Sequence, residues 1–456
     1  MSESQSRLGQ ALAAIRNSRL QHPDDQLLEC FLTDSVDPEA TAQYMLQRCT
    51  DGQIYYDLVP LLSEWKELVR SAVVEQFSQQ NKSKEAVIAS VIKRDNHTCC
   101  ITGLKSFLID PLIVASIFPV FRFSRESLQE LFCLFIGSAI QERVQGNDGR
   151  LNGVQNHWLV RRSAAEALAQ GYFRFTSTRG SDYRVSQVTI GGPNRPSIVD
   201  RIPTVRRGRF TDHSNSGIET PEIILLLATS RFSKSIRWSL VGREIANRPR
   251  QAATNTPFAS PWPNILEYFA LAFASICRLM PGRLRIGIYQ SLKSSGVRTY
   301  GPSSSLKVQQ LPFGMYLKTT HCDDYQALAN EFGALKLVRD QTQVPVPRPL
   351  DLVSDADTSY LLTTTITGQR LGSYIDVLSD DDLDIFKRDM QKYMAQLRIV
   401  DWENSGWFPD YWEYTKAHYV TKLNRRWLAV VDRVFETFGD FKLNLAIERR
   451  LWEYCF

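Results

Sequence analysis

The stretch SSSLKVQQLPFGMYLKTTH (Ser303–His321), with ALANEFGALKLVRDQ (Ala327–Gln341) soon after it, decides how the C-terminal half folds. Apolar residues alternate with polar ones on either side of a central turn, which predicts a hairpin of two strands. The second segment repeats apolar residues at helical spacing. Lys318 closes the second strand and Glu331 stands near the start of the helix. A strand lysine held by a helix glutamate presents a fixed ammonium to anionic oxygens such as those of phosphates. Taken singly, a strand lysine is usually a solvated edge charge, and an early helix glutamate usually just complements the macrodipole.

Farther along, PVPRPLDLVSD (Pro345–Asp355) leads to TSYLLTTTITGQRLGSYI (Thr358–Ile375). The latter reads as a strand crossing to a linker whose backbone groups are suited to hydrogen-bond an adenine. YMAQLRIVDWENSGW (Tyr393–Trp407) begins as the end of an amphipathic helix and, from Ile399, reads as a strand ending in an acidic loop. By itself Asp401 in this stretch would be a helix cap.

The ordered set YGPSSSLKVQQLPFGMYLK, EFGALKLVRD, VPVPRPLDLV, YLLTTTITGQRLG and IVDWENSGWFPDYWEYTKAHY resembles the aminoglycoside phosphotransferase family, which is choline kinase-like in sequence and protein-kinase-like in fold. The likeness is greatest to the fungal members and covers about residues 281–456. It implies an ATP-dependent small-molecule phosphotransferase with ATP and Mg2+ as cofactors. Lys318 would contact the phosphates and Glu331 would hold it. Thr364, Thr365 and Ile366 would form the hinge, and Asp401 would bind metal. In this family a loop of pattern H-G-D-x-x-x-x-N lies between the helix and the metal Asp. Here Arg398 joins directly to Ile399, and the only histidines after the Pro-rich linker, His321 and His418, sit in no such motif. No catalytic residue is assigned, because loss of a positioned base typically removes about 10² to 10⁴ in rate. The expectation is an inactive kinase-like protein with residual nucleotide binding. Either skipped coding sequence or a genuine pseudoenzyme explains the seam.

The N-terminal half carries VIASVIKRDNHTCCITGLKSFLIDPLIVASIFPV (Val87–Val120) and NGVQNHWLVRRSAAEALAQGYFRF (Asn152–Phe175). The helix SKEAVIASVIKRD has Ser83 placed as its cap. HTCCITG then reads as a short strand and a turn closed by Gly103. These segments resemble a degenerate HNH nuclease domain of fungal type over about residues 85–240, through Arg94, Asp95, Cys99 or Cys100, Thr102, Gly103 and Asn152. Such a nuclease needs a neutral imidazole to deprotonate water beside a metal-bound phosphate. The expected position holds Ser116, and the second histidine region, RRSAAEALAQG, has none. His157 lies nearby but off-register, and His97 falls where the motif is variable. The basic run Arg206, Arg207, Arg209 invites a nucleic-acid reading, since guanidinium groups contact phosphates. In a Gly/Pro-rich stretch such a run is more simply solvated.

The chain has 456 residues, 43% of them hydrophobic, and a net charge of +5, too mild to imply nucleic acid by itself. Its eight cysteines form no C-x-x-C pair, so no zinc is expected and a reducing compartment fits. LQELFCLFIGSAI and ILEYFALAFASICRLM are short for a bilayer span and contain Glu130 and Glu267. The protein is expected to be soluble and intracellular, in cytoplasm or nucleus, with a nucleotide or a nucleic acid as partner and no membrane. Four regions are expected: a helical start (1–84), the HNH-like domain (85–245), a Pro-rich linker (246–262) and the kinase-like domain (263–456). EIILLLATSRFSKSIRWSLVGREIA (Glu222–Ala246) is read as one helix closing the first domain. The fold class is α+β and multidomain: a ββα-containing HNH-like domain, then an N-lobe sheet with an incomplete helical C-lobe.

Overall fold

The computed structural model describes residues 6–49, 57–70, 84–108, 110–118, 123, 125–145, 150–178, 180–192, 195–196, 198–199, 202, 205–248, 265–300, 307–366, 374–399, 414–415, 417–418 and 425–455. The architecture is α+β with small antiparallel sheets, and the chain divides into two compact units. Unit 1 is Met1–Pro249 together with Leu371–Asp380; unit 2 is Arg250–Arg370 with Asp381–Phe456.

Unit 1 begins with helices α1 (Arg7–Asn17), α2 (Asp24–Thr33), α3 (Pro38–Cys49) and α4 (Val59–Glu67). Helix α5 (Glu85–Arg94) follows, capped by Lys84 with no side-chain bond; Ser83, the expected cap, lies outside the described residues. Strand β1 (Leu112–Ser116), helices α6 (Glu126–Ile136) and α7 (Ser138–Gln145), strand β2 (His157–Arg161) and helix α8 (Arg162–Ala169) come next. β1 and β2 pair antiparallel, Ser116 facing His157. HTCCITG forms a turn closed by an isolated Thr98–Lys105 bridge rather than a strand, with Gly103 at φ +72°.

Helix α8 stops in a Schellman motif. Gly171 N–H donates to Leu168 O (2.8 Å) and Tyr172 N–H to Ala167 O (3.0 Å). Gly171 takes φ +76°, and a Cβ there would strike the Ser233 carbonyl. This stop delivers β3 (Phe173–Ser177), which pairs with β4 (Asp182–Gln187), itself paired with β5 (Val205–Arg209).

The expected single helix over Glu222–Ala246 is two, α9 (Ile223–Arg231) and α10 (Ser233–Asn247), parted at Phe232. There the Phe232 N–H reaches back only to Thr229 O, and the buried ring packs against Trp65, Phe132 and Phe135. Non-local contacts explain the break. Ser230 Oγ accepts from Phe175 N–H (2.6 Å), and Ser233 Oγ donates to Phe173 O (2.6 Å), so both serines serve the free edge of β3. An unpaired edge is thereby satisfied without another strand.

The chain returns to unit 1 late. Ile375 and Val377 are fully buried, Val377 within the core of that unit. Asp376 Oδ2 accepts from Gly191 N–H (2.7 Å), and the Asp376 carbonyl lies 2.7 Å from His22 Nε2.

Unit 2 opens with α11 (Ile265–Arg278) and α12 (Gly282–Tyr300), then β6 (Val308–Leu311), β7 (Met315–His321), α13 (Tyr325–Gln341), β8 (Pro349–Ser354) and β9 (Thr358–Thr364). The strands order β6-β7-β9-β8, all neighbours antiparallel. Strand alternation sends Leu311, Met315, Leu317, Tyr360 and Leu362 into one core with Ala270, Ala274, Ile286 and Tyr289 of α11 and α12. Gly296 of α12 approaches β6 so closely that a Cβ would meet the Gln310 carbonyl. Within that core Asp351 is bound by Arg285 (2.9 Å) and by the Tyr289 hydroxyl (2.6 Å), so its charge is paired where it is buried. Helices α14 (Asp380–Ile399), α15 (Arg425–Phe435) and α16 (Lys442–Cys455) follow. Ile399, expected to open a strand, is the last residue of α14, which runs unbroken through Arg398. No helix among the described residues is long and apolar enough to cross a membrane.

Candidate functional site

Strand alternation turns Lys318 to the face of the unit 2 sheet opposite Leu317, between Val308 on β6 and Leu361 on β9. Helix α13 packs on this sheet, and its Glu331 reaches the lysine: Nζ and Oε2 are 2.5 Å apart. Both side chains remain about one-third exposed (32% and 39%), so the ammonium is oriented yet open to a ligand. Lys318 lies mid-strand in β7 rather than at the expected strand end, and the rest of that strand, one turn and one helix bring the two residues together within a short length of chain.

Two of the residues expected to form the hinge have their main-chain donors engaged within the unit. Thr364 N–H donates to Arg348 O (2.9 Å) and Thr365 N–H to Gly314 O (2.9 Å), so both donors are already used. The Thr364 hydroxyl accepts from Arg348 N–H (2.8 Å), while Thr365 Oγ1 is buried with no hydrogen-bond partner among the described residues. Ile366 leaves an exposed apolar side chain. Asp401, the expected metal ligand, lies outside the described residues. His418 is buried and holds Asp432 Oδ1 at 2.9 Å, shared with the Tyr414 hydroxyl at 2.8 Å. Burial lowers its pKa despite the carboxylate.

In unit 1 the residues singled out by sequence form a structural clamp. Arg94 is fully buried and grips Asp95 through two bonds, Nε–Oδ1 at 2.7 Å and Nη2–Oδ2 at 3.1 Å. Its other donors go to the carbonyls of Val154 (2.8 Å), Glu219 (3.1 Å) and His157 (2.7 Å). All five guanidinium N–H groups are thus satisfied. Asp95 Oδ2 also accepts from Leu159 N–H at 2.8 Å and faces Cys100 Sγ at 3.5 Å. This one pair ties helix α5 to β2 and to the segments at Val154 and Glu219.

Ser116 Oγ lies 3.5 Å from His157 Nε2 across the β1–β2 pair. His157 Nδ1 is 2.7 Å from the Gly153 carbonyl, an obligate acceptor, so Nδ1 carries the proton and Nε2 the lone pair. Burial lowers the His157 pKa, and the nearby Arg94 charge lowers it further, outweighing the Gly153 bond. The imidazole is neutral near pH 7 but enclosed. Asn152 ends a 3-10 turn, Arg150–Asn152; the asparagine that knits the core is Asn156, bonded to Phe118 on both its main-chain groups. His97 is exposed at φ +51°.

The basic run separates by strand alternation. Arg206 points inward and donates to the carbonyls of Cys100 (3.2 Å) and Ile101. Arg209 is paired with Asp182. Arg207 stands directly opposite Arg184 of β4, and neither has an acidic partner among the described residues. They flank an open hollow that the Asp182–Arg209 pair, Thr178, Tyr183 and Gly208 also line. Arg184 escaped sequence reasoning because it lies far from the run and joins it only through strand pairing.

Among the described residues one group of three metal-ligating side chains converges, His321, Cys322 and Asp323. Cysteine-spacing rules overlook it, since they seek C-x-x-C pairs; a run of three different donors was the available signal. No family model matches the chain, and no curated protein or solved structure does.

Proposed function

We propose that unit 2 is a kinase-like module of the aminoglycoside phosphotransferase type that binds nucleotide phosphate without transferring it. The observation that carries this reading is the Lys318–Glu331 pair, poised on one face of an antiparallel sheet and about one-third exposed to solvent. A held ammonium of this kind neutralises β- and γ-phosphate oxygens. The support concerns the phosphate end of the ligand, because the Thr364 and Thr365 donors are engaged elsewhere. Mg2+ would supply charge neutralisation at those oxygens. The described carboxylates near Lys318 offer no converging magnesium set, so no step is assigned to the metal.

The absence of transfer follows from the covalent chain. Helix α14 runs through Arg398 to Ile399 where the family places its catalytic loop. Thermal unfolding with and without Mg-ATP tests the reading. At ligand 100-fold above Kd, stabilisation of about 2.7 kcal/mol is expected, lost in Lys318→Met. No upward shift in the unaltered protein rejects nucleotide binding; turnover of ATP on an acceptor hydroxyl rejects inactivity.

A second reading is favoured by the opposed Arg184 and Arg207. Unit 1, with its β1–β2 pair leading straight into α8, would be an HNH-like ββα scaffold that holds nucleic-acid phosphates without cleaving them. Ser116 replaces the base, and the enclosed His157 does not substitute for it.

A further inference from the structure

The corner between β7 and α13 points to a metal site that neither reading above requires. His321 ends β7, paired with Thr358 across the sheet, and Cys322–Asp324 make a single 3-10 turn. The backbone is fixed there: Cys322 N–H donates to Asp357 O at 3.0 Å. Around this corner His321 Nδ1 lies 3.1 Å from Asp323 Oδ2 and 3.7 Å from Cys322 Sγ, and Cys322 Sγ lies 3.7 Å from Asp323 Oδ1.

Tetrahedral zinc, with bonds of about 2.3 Å to sulfur and about 2.0–2.2 Å to nitrogen or oxygen, sets ligand–ligand separations of roughly 3.3–3.6 Å. The three donors lie within 4.8 Å of one another, the carboxylate turning Oδ2 to the histidine and Oδ1 to the cysteine, so a small side-chain rotation brings them onto one face of such a tetrahedron. His321 Nδ1 also accepts from the Asp323 N–H at 3.4 Å, which turns its lone pair toward this corner. His321 and Asp323 are 64% and 85% exposed, so a cation enters without unfolding and the fourth position is open to water.

We propose that His321 Nδ1, Cys322 Sγ and the Asp323 carboxylate bind one divalent cation of zinc type, with solvent completing the tetrahedron. Imidazole, thiolate and carboxylate together suit a borderline-soft ion better than magnesium or calcium. The turn lies between Lys318 and Glu331 in the chain. The ion would thus brace the corner that sets the lysine strand against the glutamate helix.

Cobalt(II) alone, titrated into the full chain under reducing conditions, provides the test. The expected result is a sulfur-to-cobalt charge-transfer band with visible bands strong enough for four-coordination, saturating at one equivalent and bleached by zinc. Cys322→Ser abolishes the charge-transfer band, and His321→Gln weakens binding by about tenfold or more. No band, or a band that survives Cys322→Ser, overturns the proposal; in the first case the corner is a plain side-chain cap of the turn, in the second the metal sits on another cysteine. Nucleotide takes no part in this readout, so its outcome and that of the Mg-ATP measurement are independent.

Discussion

Arg94 shows how much of unit 1 rests on one side chain. Its charge is buried, and it is tolerated because Asp95 and three carbonyls take every donor. Removing one partner of such a pair strands the other charge in the interior. Arg94→Met or Asp95→Asn should therefore lower unfolding free energy by about 3–5 kcal/mol in denaturant titration. His157 makes the second prediction at this scale. Its folded pKa lies below the ordinary 6.5, chiefly through burial. In the window between the two values the unfolded chain binds more protons, so stability rises with pH there. The contribution is complete above the unfolded pKa and is lost as pH falls below it. The His157 ring resonance should accordingly titrate below its peptide value, and His157→Gln should flatten the acid limb of the stability curve. A ring that titrates at or above the peptide value would contradict the enclosed, neutral imidazole.

Elements explain why some of this was legible and some was not. The β6–β7 turn and the α13 helix lie in one local run of sequence, so alternation and helical spacing were enough to place Lys318 and Glu331. The break at Phe232 was not readable, because its causes are the β3 carbonyls and an aromatic cluster assembled from distant segments. The same holds for the basic surface. Sequence adjacency grouped Arg206, Arg207 and Arg209, whereas the pleat sends Arg206 inward and strand pairing brings Arg184 to Arg207. Directly opposed like charges cost stability unless an anion joins them. Single-stranded DNA binding, if it occurs here, should weaken about tenfold in the Arg184→Ala, Arg207→Ala double variant, with the salt slope reduced by about 1–2. Arg206→Ala should leave that slope unchanged. An affinity indifferent to salt would remove the nucleic-acid reading.

On the scale of the whole molecule, the division into units does not follow the chain order. The proline-rich stretch before Pro263 is an obvious place to cut. Yet a fragment ending at Pro249 lacks Val377, which is buried in the core of unit 1, and the Asp376 carboxylate that Gly191 requires. Opening that part of the core should cost roughly 2–5 kcal/mol. Adding a synthetic peptide of residues 371–385 should restore part of the loss in thermal unfolding, and indifference to the peptide would show that the return segment contributes nothing.

That return also bears on heredity. A protein built from two consecutive cassettes can exchange either one by recombination at the join. Here an exchange at the proline-rich stretch would bring in a foreign partner for Gly191 and His22, and a foreign plug for the space Val377 fills. The two halves must therefore be inherited, and must drift, as a pair.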